Sequence, residues 1–336
     1  KMKYVNSYQI FIVYSSILVL LVVLGLALSY GSYKVTFIDY LYSDMSKVQE
    51  SVFTKIRFPR VLLSAFVGAS LALSGACLQG LFRNPLADPG LIGVSAGAAL
   101  GATSFIVLGS NFIQGSVTNP YLLPLSSICG SAFVISALFF ITRGFGKEGI
   151  TYLLLAGIAV NAFAGVGIGI LTYISDDSEL RGLTFWTMGS FGGATISMIG
   201  PAILFIIFSF IWIIKEARKL DILQLGESEA YRLGIDIKKL RFSVIVSSAI
   251  IVGISVSLSG MIGFVGLVVP HLARILGGVN HSFLLPSSAL MGAILMVLAD
   301  LFARTMIKPA ELPVGLITSA IGSPFFLWLI FRIRKS

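Results

Sequence analysis

Long runs of apolar residues constrain this chain more than any other feature of its sequence. Ten stretches are almost free of charge, and each approaches the roughly 20 residues with which an α-helix crosses the hydrocarbon core of a bilayer. They lie near 10–30, 61–82, 91–109, 121–142, 150–174, 194–214, 242–259, 261–276, 283–299 and 312–331. Mean hydropathy is +0.95 and only 12% of the residues are charged. The sequence therefore predicts an all-α integral membrane protein with ten spanning helices, in which residues 1–336 form a single transmembrane domain.

The distribution of positive charge indicates the orientation. An even number of spans places both termini on the same side of the membrane. If that side is the cytoplasm, 16 of the 24 Lys and Arg residues lie there, as the positive-inside rule requires. We therefore expect both termini to be cytoplasmic, and we interpret the net charge of +9 as a consequence of topology, with no nucleic-acid partner.

Two local features could be misread. The first apolar run follows Lys1 and Lys3 as in a signal peptide, but no small-residue cleavage site follows it before Tyr30, so we expect it to remain a helix. Cys77 and Cys129 both fall inside predicted spans. We expect them to be packing residues, without a disulfide or a metal site.

Part of the sequence is repeated. The matching residues are Leu73-Ser74-Gly75 with Pro85 in one copy and Leu258-Ser259-Gly260 with Pro270 in the other. Upstream, Arg57 corresponds to Arg241, and the predicted topology places these two residues on opposite sides of the membrane. The pattern predicts an inverted internal repeat, which is frequent in transporters, although similar low-complexity spans can also match by chance.

Small residues recur every four positions on three predicted helices. The stripes are Gly68, Ala72, Ala76 and Gly80, then Gly93, Gly97 and Gly101, and finally Gly157, Asn161, Gly165 and Gly169. Such stripes allow helix backbones to approach closely within lipid. We expect the first two to serve packing, whereas the third could equally serve packing or line a pore or a dimer interface.

Ionisable residues are nearly absent from the predicted spans. Ion-coupled carriers usually hold such groups inside the membrane, and membrane enzymes need paired carboxylates or a His-rich metal set. Asp300 is expected at the outer end of a span, within reach of water, and His271 and His281 are expected to be solvated or packed. The same holds for Asp176-Asp177 in an outer loop. This argues against an ion-coupled transporter and against a membrane-embedded enzyme.

The longest polar cytoplasmic segment is 215–241. It holds Glu227 and Glu229, then Ala230, and Gly234 at the position of a helix stop. A short amphipathic helix here could dock into a groove on a soluble partner, but the segment could also be an ordinary surface loop.

Several long motifs resemble one transporter family. They are Arg57-Phe58-Pro59-Arg60 and the segments 73–90, 91–98, 186–190, 263–274, 298–304, 311–315 and 322–328. In this order they are similar to the iron-siderophore, haem and cobalamin permease family of ABC importers, from about residue 55 to the end. The first helix carries no recognisable signature.

The resemblance implies the BtuC-like permease fold in a bacterial cytoplasmic membrane, surrounded by lipid. It also implies a second permease protomer, identical or a sister chain, and two cytoplasmic ABC ATPases that hold ATP and Mg. An extracytoplasmic substrate-binding protein, often a lipoprotein, completes the assembly. The chain itself would be non-catalytic and would bind no cofactor.

The resemblance also implies roles for individual residues. Arg57, Arg60 and Arg304 match arginines that meet acidic residues of the binding protein, a task that suits the guanidinium because it pairs bidentately with carboxylates. Glu229, Ala230 and Gly234 match the Glu-Ala-x-x-x-Gly loop that seats on the ATPase, and Glu227 begins the same segment. This favours the docking interpretation of 215–241.

The expected pathway runs between two protomers. Gly149, Ile150 and Thr151 correspond to the cytoplasmic gate of the family, and the helix that follows, with Asn161 and Gly165, would line the pathway together with the last helix. A smooth, weakly polar wall allows a bulky chelate to slide. We expect a ferric siderophore as substrate because that is the commonest use of the family, while haem and cobalamin cannot be separated from it by these residues.

Overall fold

The structure is a computed structural model that describes residues 6–31, 40, 42, 46–112, 119–142, 149–307 and 310–335. Within these residues it is helical throughout and contains no strand. The α-helices are α1 Ser7–Ser29, α2 Lys47–Ser51, α3 Phe58–Phe82, α4 Val94–Phe112, α5 Leu122–Ile141, α6 Gly149–Ile174, α7 Asp177–Met188, α8 Ile196–Lys215, α9 Ala217–Leu223, α10 Glu227–Arg232, α11 Ile237–Ser259, α12 Val265–Gly277, α13 His281–Ala303 and α14 Val314–Lys335. A π-helical segment, Val52–Arg57, joins α2 to α3, and a 3₁₀ turn, Pro89–Ile92, precedes α4.

Apolar helices occupy each of the ten predicted stretches. In the described part of the chain, seven helices are long and apolar enough to cross a membrane, namely α1, α3 with its N-terminal extension, α5, α6, α8, α11 and α13. The other three predicted stretches contain the shorter apolar helices Val94–Gly109, Val265–Gly277 and Val314–Leu329. The all-α membrane architecture is thus confirmed.

The predicted span 261–276 is wrong at its start. The backbone leaves the helix at Gly260, which has φ +73°, and helix α12 begins only after Phe264, which has φ +69°. Only glycine tolerates such a conformation without strain. The 13 residues of α12 extend about 20 Å, which is shorter than a hydrocarbon core of about 30 Å.

The two copies of the predicted repeat differ locally. Gly75 lies inside α3, whereas its counterpart Gly260 ends α11. Pro85 lies between α3 and α4, whereas Pro270 lies inside α12. The inverted repeat therefore stays a prediction.

Helix α3 is the centre of the bundle and packs on α11, α12 and α13. Small residues make this possible: a Cβ on Gly68 would overlap the carbonyl oxygen of Gly292 on α13, and one on Gly75 would overlap that of Gly266 on α12. Similarly, Gly97 on α4 approaches the backbone of Gly130 on α5. The first two small-residue stripes therefore contribute to packing as predicted.

We expect Gly68→Val to destabilise the protein strongly. The new side chain would force α3 and α13 apart, and overpacking of this kind costs about 1–3 kcal/mol or more. Thermal unfolding of the purified chain, followed by the loss of monodisperse protein, measures the effect. The matched control is Gly200→Val on α8, where a Cβ meets nothing within 4 Å. Equal losses in the two variants would contradict the close packing of α3 on α13.

The cysteines are free, with Cys77 buried in the core and Cys129 exposed on α5. Across the described residues, no group of three His, Cys, Asp or Glu side chains is arranged to hold a metal ion.

Candidate functional site

Arg60 lies at the centre of a buried ion-pair cluster at one end of the bundle. Its Nε donates to both carboxylate oxygens of Asp300 at 2.9 and 3.1 Å, and its Nη1 donates to Oε2 of Glu311 at 2.7 Å. The Asp300 side chain is only 1% exposed, whereas that of Glu311 is 46% exposed. The cluster therefore has a buried part and a part that water reaches.

The expectation that water reaches Asp300 is wrong. Asp300 lies in the last turn of α13, facing α3, and the close packing of these two helices places Arg60 over it. A carboxylate in such a place needs a cationic partner, because an unpaired buried charge is very costly.

Arg57 and Arg304 hold the end of α1. Arg57 donates to the carbonyl oxygens of Leu28 and Ser29 at 2.9 and 3.3 Å, and Arg304 donates to that of Ala27. The last carbonyl groups of a helix lack partners within the helix and carry partial negative charge, which cations satisfy. Nε of Arg304 also lies 3.7 Å from Asp300.

The three arginines predicted from the motifs thus lie close together, and all three are buried and already bound within the chain. Sequence reasoning missed their acidic partners Asp300 and Glu311. Both stand inside motifs that resemble the family, so the motifs were the available signal.

The predicted coupling segment forms two short helices, α9 and α10, at the opposite end of α3. Glu227 begins α10 and accepts a hydrogen bond from Arg241 at 2.6 Å, and Glu229 pairs with Arg232 at 3.0 Å. Ala230 is fully buried, and Gly234, with φ +83°, follows the helix in the left-handed region that favours glycine. The predicted short helix with a glycine stop is confirmed.

Exposed apolar side chains surround these residues. Tyr231 is 76% exposed, Leu233 is 60% exposed and Leu225 is also exposed. Large exposed apolar side chains beside charged residues are typical of a protein interaction site. Tyr231 and Leu233 occupy variable positions of the Glu-Ala-x-x-x-Gly pattern, and Leu225 lies shortly before it. The motif therefore did not single them out.

Hydrogen bonds tie α9 to the transmembrane helices. Oδ1 of Asp221 lies 2.6 Å from Nδ1 of His281 and accepts from its backbone N–H at 2.8 Å. Nε2 of Gln224 donates to the carbonyl oxygen of Gly80 at 2.8 Å. These contacts connect α9 to the first residue of α13 and to the last turn of α3.

The third small-residue stripe divides into two halves. Gly157 approaches the backbone of Leu91, and Nδ2 of Asn161 donates to the carbonyl oxygen of Gly90 at 2.9 Å, so this half packs on the 3₁₀ turn. Gly165 and Gly169 face open space. The side chains of 149–151 lie outside the described residues, although α6 begins at the first of them.

The 3₁₀ turn that receives Asn161 is capped by the carboxyl group of Asp88, a partly buried residue. The backbone N–H of Gly90 donates to Oδ1 of Asp88 at 2.8 Å. Burial raises the pKa of Asp88, and this hydrogen bond opposes the rise by favouring the charged form.

Comparison with known proteins gives matches over almost the whole chain. The FecCD transport family matches residues 17–332, so the similarity begins inside α1 and not near residue 55. The hemin transport system permease protein HmuU of Yersinia pestis is 45% identical over 324 residues, which cover 95% of each chain. The vitamin B12 import system permease protein BtuC of Vibrio vulnificus is 37% identical over 296 residues, covering 87% of this chain and 86% of the relative.

One solved structure has the same fold. It is an ABC transporter of the metal-chelate type in an inward-facing conformation, and it superposes with a TM-score of 0.85 at 34% identity. The match covers 96% of this chain and 99% of the solved chain.

Proposed function

The chain belongs to the FecCD transport family, a family of ABC importer permeases, and on this premise we propose that it forms half of the pathway of an importer for a metal chelate. In this proposal the chain is one domain with ten membrane crossings and cytoplasmic termini. It pairs with a second permease, two ABC ATPases and an extracytoplasmic binding protein. The chain forms and breaks no covalent bond.

One observation carries the proposal: the two candidate docking regions lie at opposite ends of the same two antiparallel helices. Arg60 and Asp300 meet at one end of α3 and α13, and Gly80 and His281 lie at the other, bound to α9. The roughly 20 residues between these ends extend about 30 Å, which matches the hydrocarbon core. One region would therefore face each side of the membrane, as an importer that receives substrate outside and energy inside requires.

Docking of the binding protein at the arginines would need an exchange of partners. Arg57 and Arg304 bind carbonyl oxygens of α1, but Arg60 also binds the half-exposed carboxylate of Glu311. An acidic residue of the binding protein would replace Glu311 on Arg60 without disturbing the buried pair with Asp300.

We expect Glu311→Gln to tighten binding of the extracytoplasmic protein, because it weakens the internal carboxylate that competes for Arg60. The gain should be at most about fivefold, since partly exposed ion pairs contribute at most about 1 kcal/mol. Biolayer interferometry with the permease–ATPase complex in nanodiscs measures the affinity. Glu50→Gln, an exposed carboxylate of α2, is the control for general charge effects. Unchanged binding, or an equal gain in the control, would argue that Arg60 is structural only.

On the cytoplasmic side, α10 with Tyr231 and Leu233 would seat on the ATPase. Movement of the ATPase would then pull on α9, which is bound to α13 through Asp221 and His281 and to α3 through Gln224. Because α3 and α13 pack without space between them, they would move as one body and change the access of the pathway.

The pathway is proposed to lie between α6 of one permease and α6 of its partner, with α14 beside it. The half of α6 with Gly165 and Gly169 is open and its neighbours, such as Phe163 and Tyr173, are strongly exposed. Such a surface needs a protomer or lipid against it. The gate at 149–151 remains part of this proposal.

Haem is the first substrate to test, because the hemin permease of Yersinia pestis is 45% identical to this chain. A ferric siderophore, the sequence-based expectation, and cobalamin remain candidates, since substrate choice in such systems resides mainly in the separate binding protein. All three are bulky chelates that suit a smooth pathway.

An ion-coupled carrier is the alternative of a different class. It would use Asp300 as the ion site, because this carboxylate is buried within a spanning helix. However, Asp300 already binds Arg60 and lies beside Arg304, which leaves no charge for a coupling ion to neutralise.

Uptake into proteoliposomes tests the proposed function. The permease and its ATPase are reconstituted into liposomes that are loaded with ATP or left without it. The binding protein is then added outside, together with radiolabelled haem, ferric siderophore or cobalamin. Uptake that needs both ATP and binding protein is expected, and the preferred ligand identifies the substrate. Uptake driven by an ion gradient without ATP would overturn the proposal.

A further inference from the structure

A large cavity lies between helices at the end of the bundle that carries the coupling segment. As outlined by the described residues, its volume is about 890 Å³, within the range of ligand pockets. It is bounded by the last turns of α5 and α8, by Leu153 near the start of α6, by the start of α9, and by the first turns of α11. Its charged lining belongs to the predicted coupling segment 215–241, but the four residues singled out there, Glu227, Glu229, Ala230 and Gly234, do not line it.

The walls are apolar and partly open to the outside of the bundle. The rings of Phe139 and Phe242 lie 5.3 Å apart, and those of Phe208 and Trp212 lie 6.1 Å apart. Phe208, Trp212 and Phe242 are exposed although they belong to helices that are long and apolar enough to cross a membrane. Side chains of this kind at such positions face the acyl chains of lipids.

Trp212 marks the boundary between the apolar and the polar part. Its Nε1 donates to Oγ of Ser243 at 2.6 Å, and Ser243 donates to Glu216 at 3.2 Å. A tryptophan with an apolar body and a bound polar edge is typical of the membrane–water interface. The mouth of the cavity therefore lies at headgroup level.

Basic residues surround this mouth. Four cations, Lys219, Lys238, Lys239 and Arg241, line the cavity against one carboxylate, Glu216, and Lys219 neutralises that carboxylate at 2.8 Å. Just beyond the lining, Glu227 pairs with Arg241. Positive charge thus remains at the mouth.

Two of these cations are available for a ligand. Lys238 forms no ion pair with any residue that the structure describes. Lys239 lies 3.4 Å from Asp236, but the two side chains are 88% and 50% exposed, and such exposed pairs contribute little.

We propose that this basic interhelical cavity binds an anionic phospholipid. The phosphate binds Lys238 and Lys239, and an acyl chain lies along Phe208 and Phe242. Basic pockets between transmembrane helices on the cytoplasmic side suit such headgroups. A free phosphate would leave the apolar walls uncovered, whereas a lipid occupies both parts of the cavity.

The test compares lipids on the delipidated full chain. Phosphatidylglycerol, phosphatidylcholine with the same acyl chains, and glycerol 3-phosphate are added in turn, while native mass spectrometry counts bound molecules and thermal unfolding measures stabilisation. Phosphatidylglycerol is expected to bind and stabilise, and the other two are not. Lys238→Gln with Lys239→Gln is expected to weaken its binding about 30-fold, from the loss of two basic side chains near an anionic lipid.

The matched control is Lys47→Gln with Lys55→Gln, which removes the same charge at exposed positions near the other end of α3 and should leave binding unchanged. Equal binding of phosphatidylcholine would indicate an unselective apolar groove and overturn the proposal. Stabilisation by glycerol 3-phosphate alone would assign the lysines to a free anion. Normal lipid binding by the lysine variant, combined with loss of the ATPase, would assign them to a protein interface.

Discussion

Replacement of both Tyr231 and Leu233 by alanine is expected to lower ATP-driven uptake by about 100-fold while the permease keeps its fold. The two side chains are mostly exposed on and just after α10, so their truncation removes little internal packing. In protein interfaces, a few large side chains contribute most of the affinity, often more than about 1 kcal/mol each. At about 1.4 kcal/mol for each side chain, which is tenfold, the two together correspond to about 100-fold. Co-purification of the ATPase and uptake into proteoliposomes measure the effect.

The control for this variant is Leu204→Ala with Phe205→Ala. These two side chains are similarly exposed but lie on α8, away from the coupling segment and from the proposed pathway. The control should retain the ATPase, and both variants should unfold at the same temperature as the original chain. If the ATPase still co-purifies with the α10 variant, this surface does not form the coupling interface.

Replacement of Arg60 by methionine is expected to destabilise the folded chain by about 3–5 kcal/mol, because it leaves a buried carboxylate without its main partner. Asp300 would retain only Arg304, whose Nε is 3.7 Å away. Chemical or thermal unfolding in detergent measures the loss. This variant therefore reports on the cluster as a structural element, independently of any docking role.

Two comparisons separate charge from packing in that experiment. Glu311→Gln removes only the half-exposed partner and should cost less than about 1 kcal/mol. Arg60→Met combined with Asp300→Leu removes both buried charges and should be more stable than Arg60→Met alone, since apolar residues can replace a buried pair. A double variant that is less stable than the single one would contradict this account.

Some features of the fold follow from local sequence alone. A run of about 20 apolar residues can satisfy its backbone in a membrane only as a helix, so the helices were predictable without knowledge of their neighbours. The stop after α10 was equally predictable, because Gly234 adopts a conformation that glycine accommodates best. The end of span 261–276 was predictable as well, but its start was not. Gly260 ends α11 where it meets Trp186 of α7, and Phe264 has a left-handed backbone conformation just before α12 begins.

The candidate sites show the same division. The motifs indicated that Arg57, Arg60 and Arg304 belong together, and the structure brings them together. That the three side chains bind the end of α1 and the carboxylates of Asp300 and Glu311 was not visible in the sequence, because these partners are up to 277 residues away along the chain. The basic interhelical cavity also joins residues from five separate helices.

The sequence by itself determined that the chain lies in a membrane, and it also determined the class of fold, the short coupling helix and the family. Each of these depends on composition, local conformation or ordered motifs. The tertiary structure alone decided which charges are buried, which stripes pack and where a cavity remains. The physical reason is that burial and pairing of a side chain depend on the helices packed against it, and close contacts such as that of Gly68 with Gly292 set those neighbours only when the whole bundle is assembled.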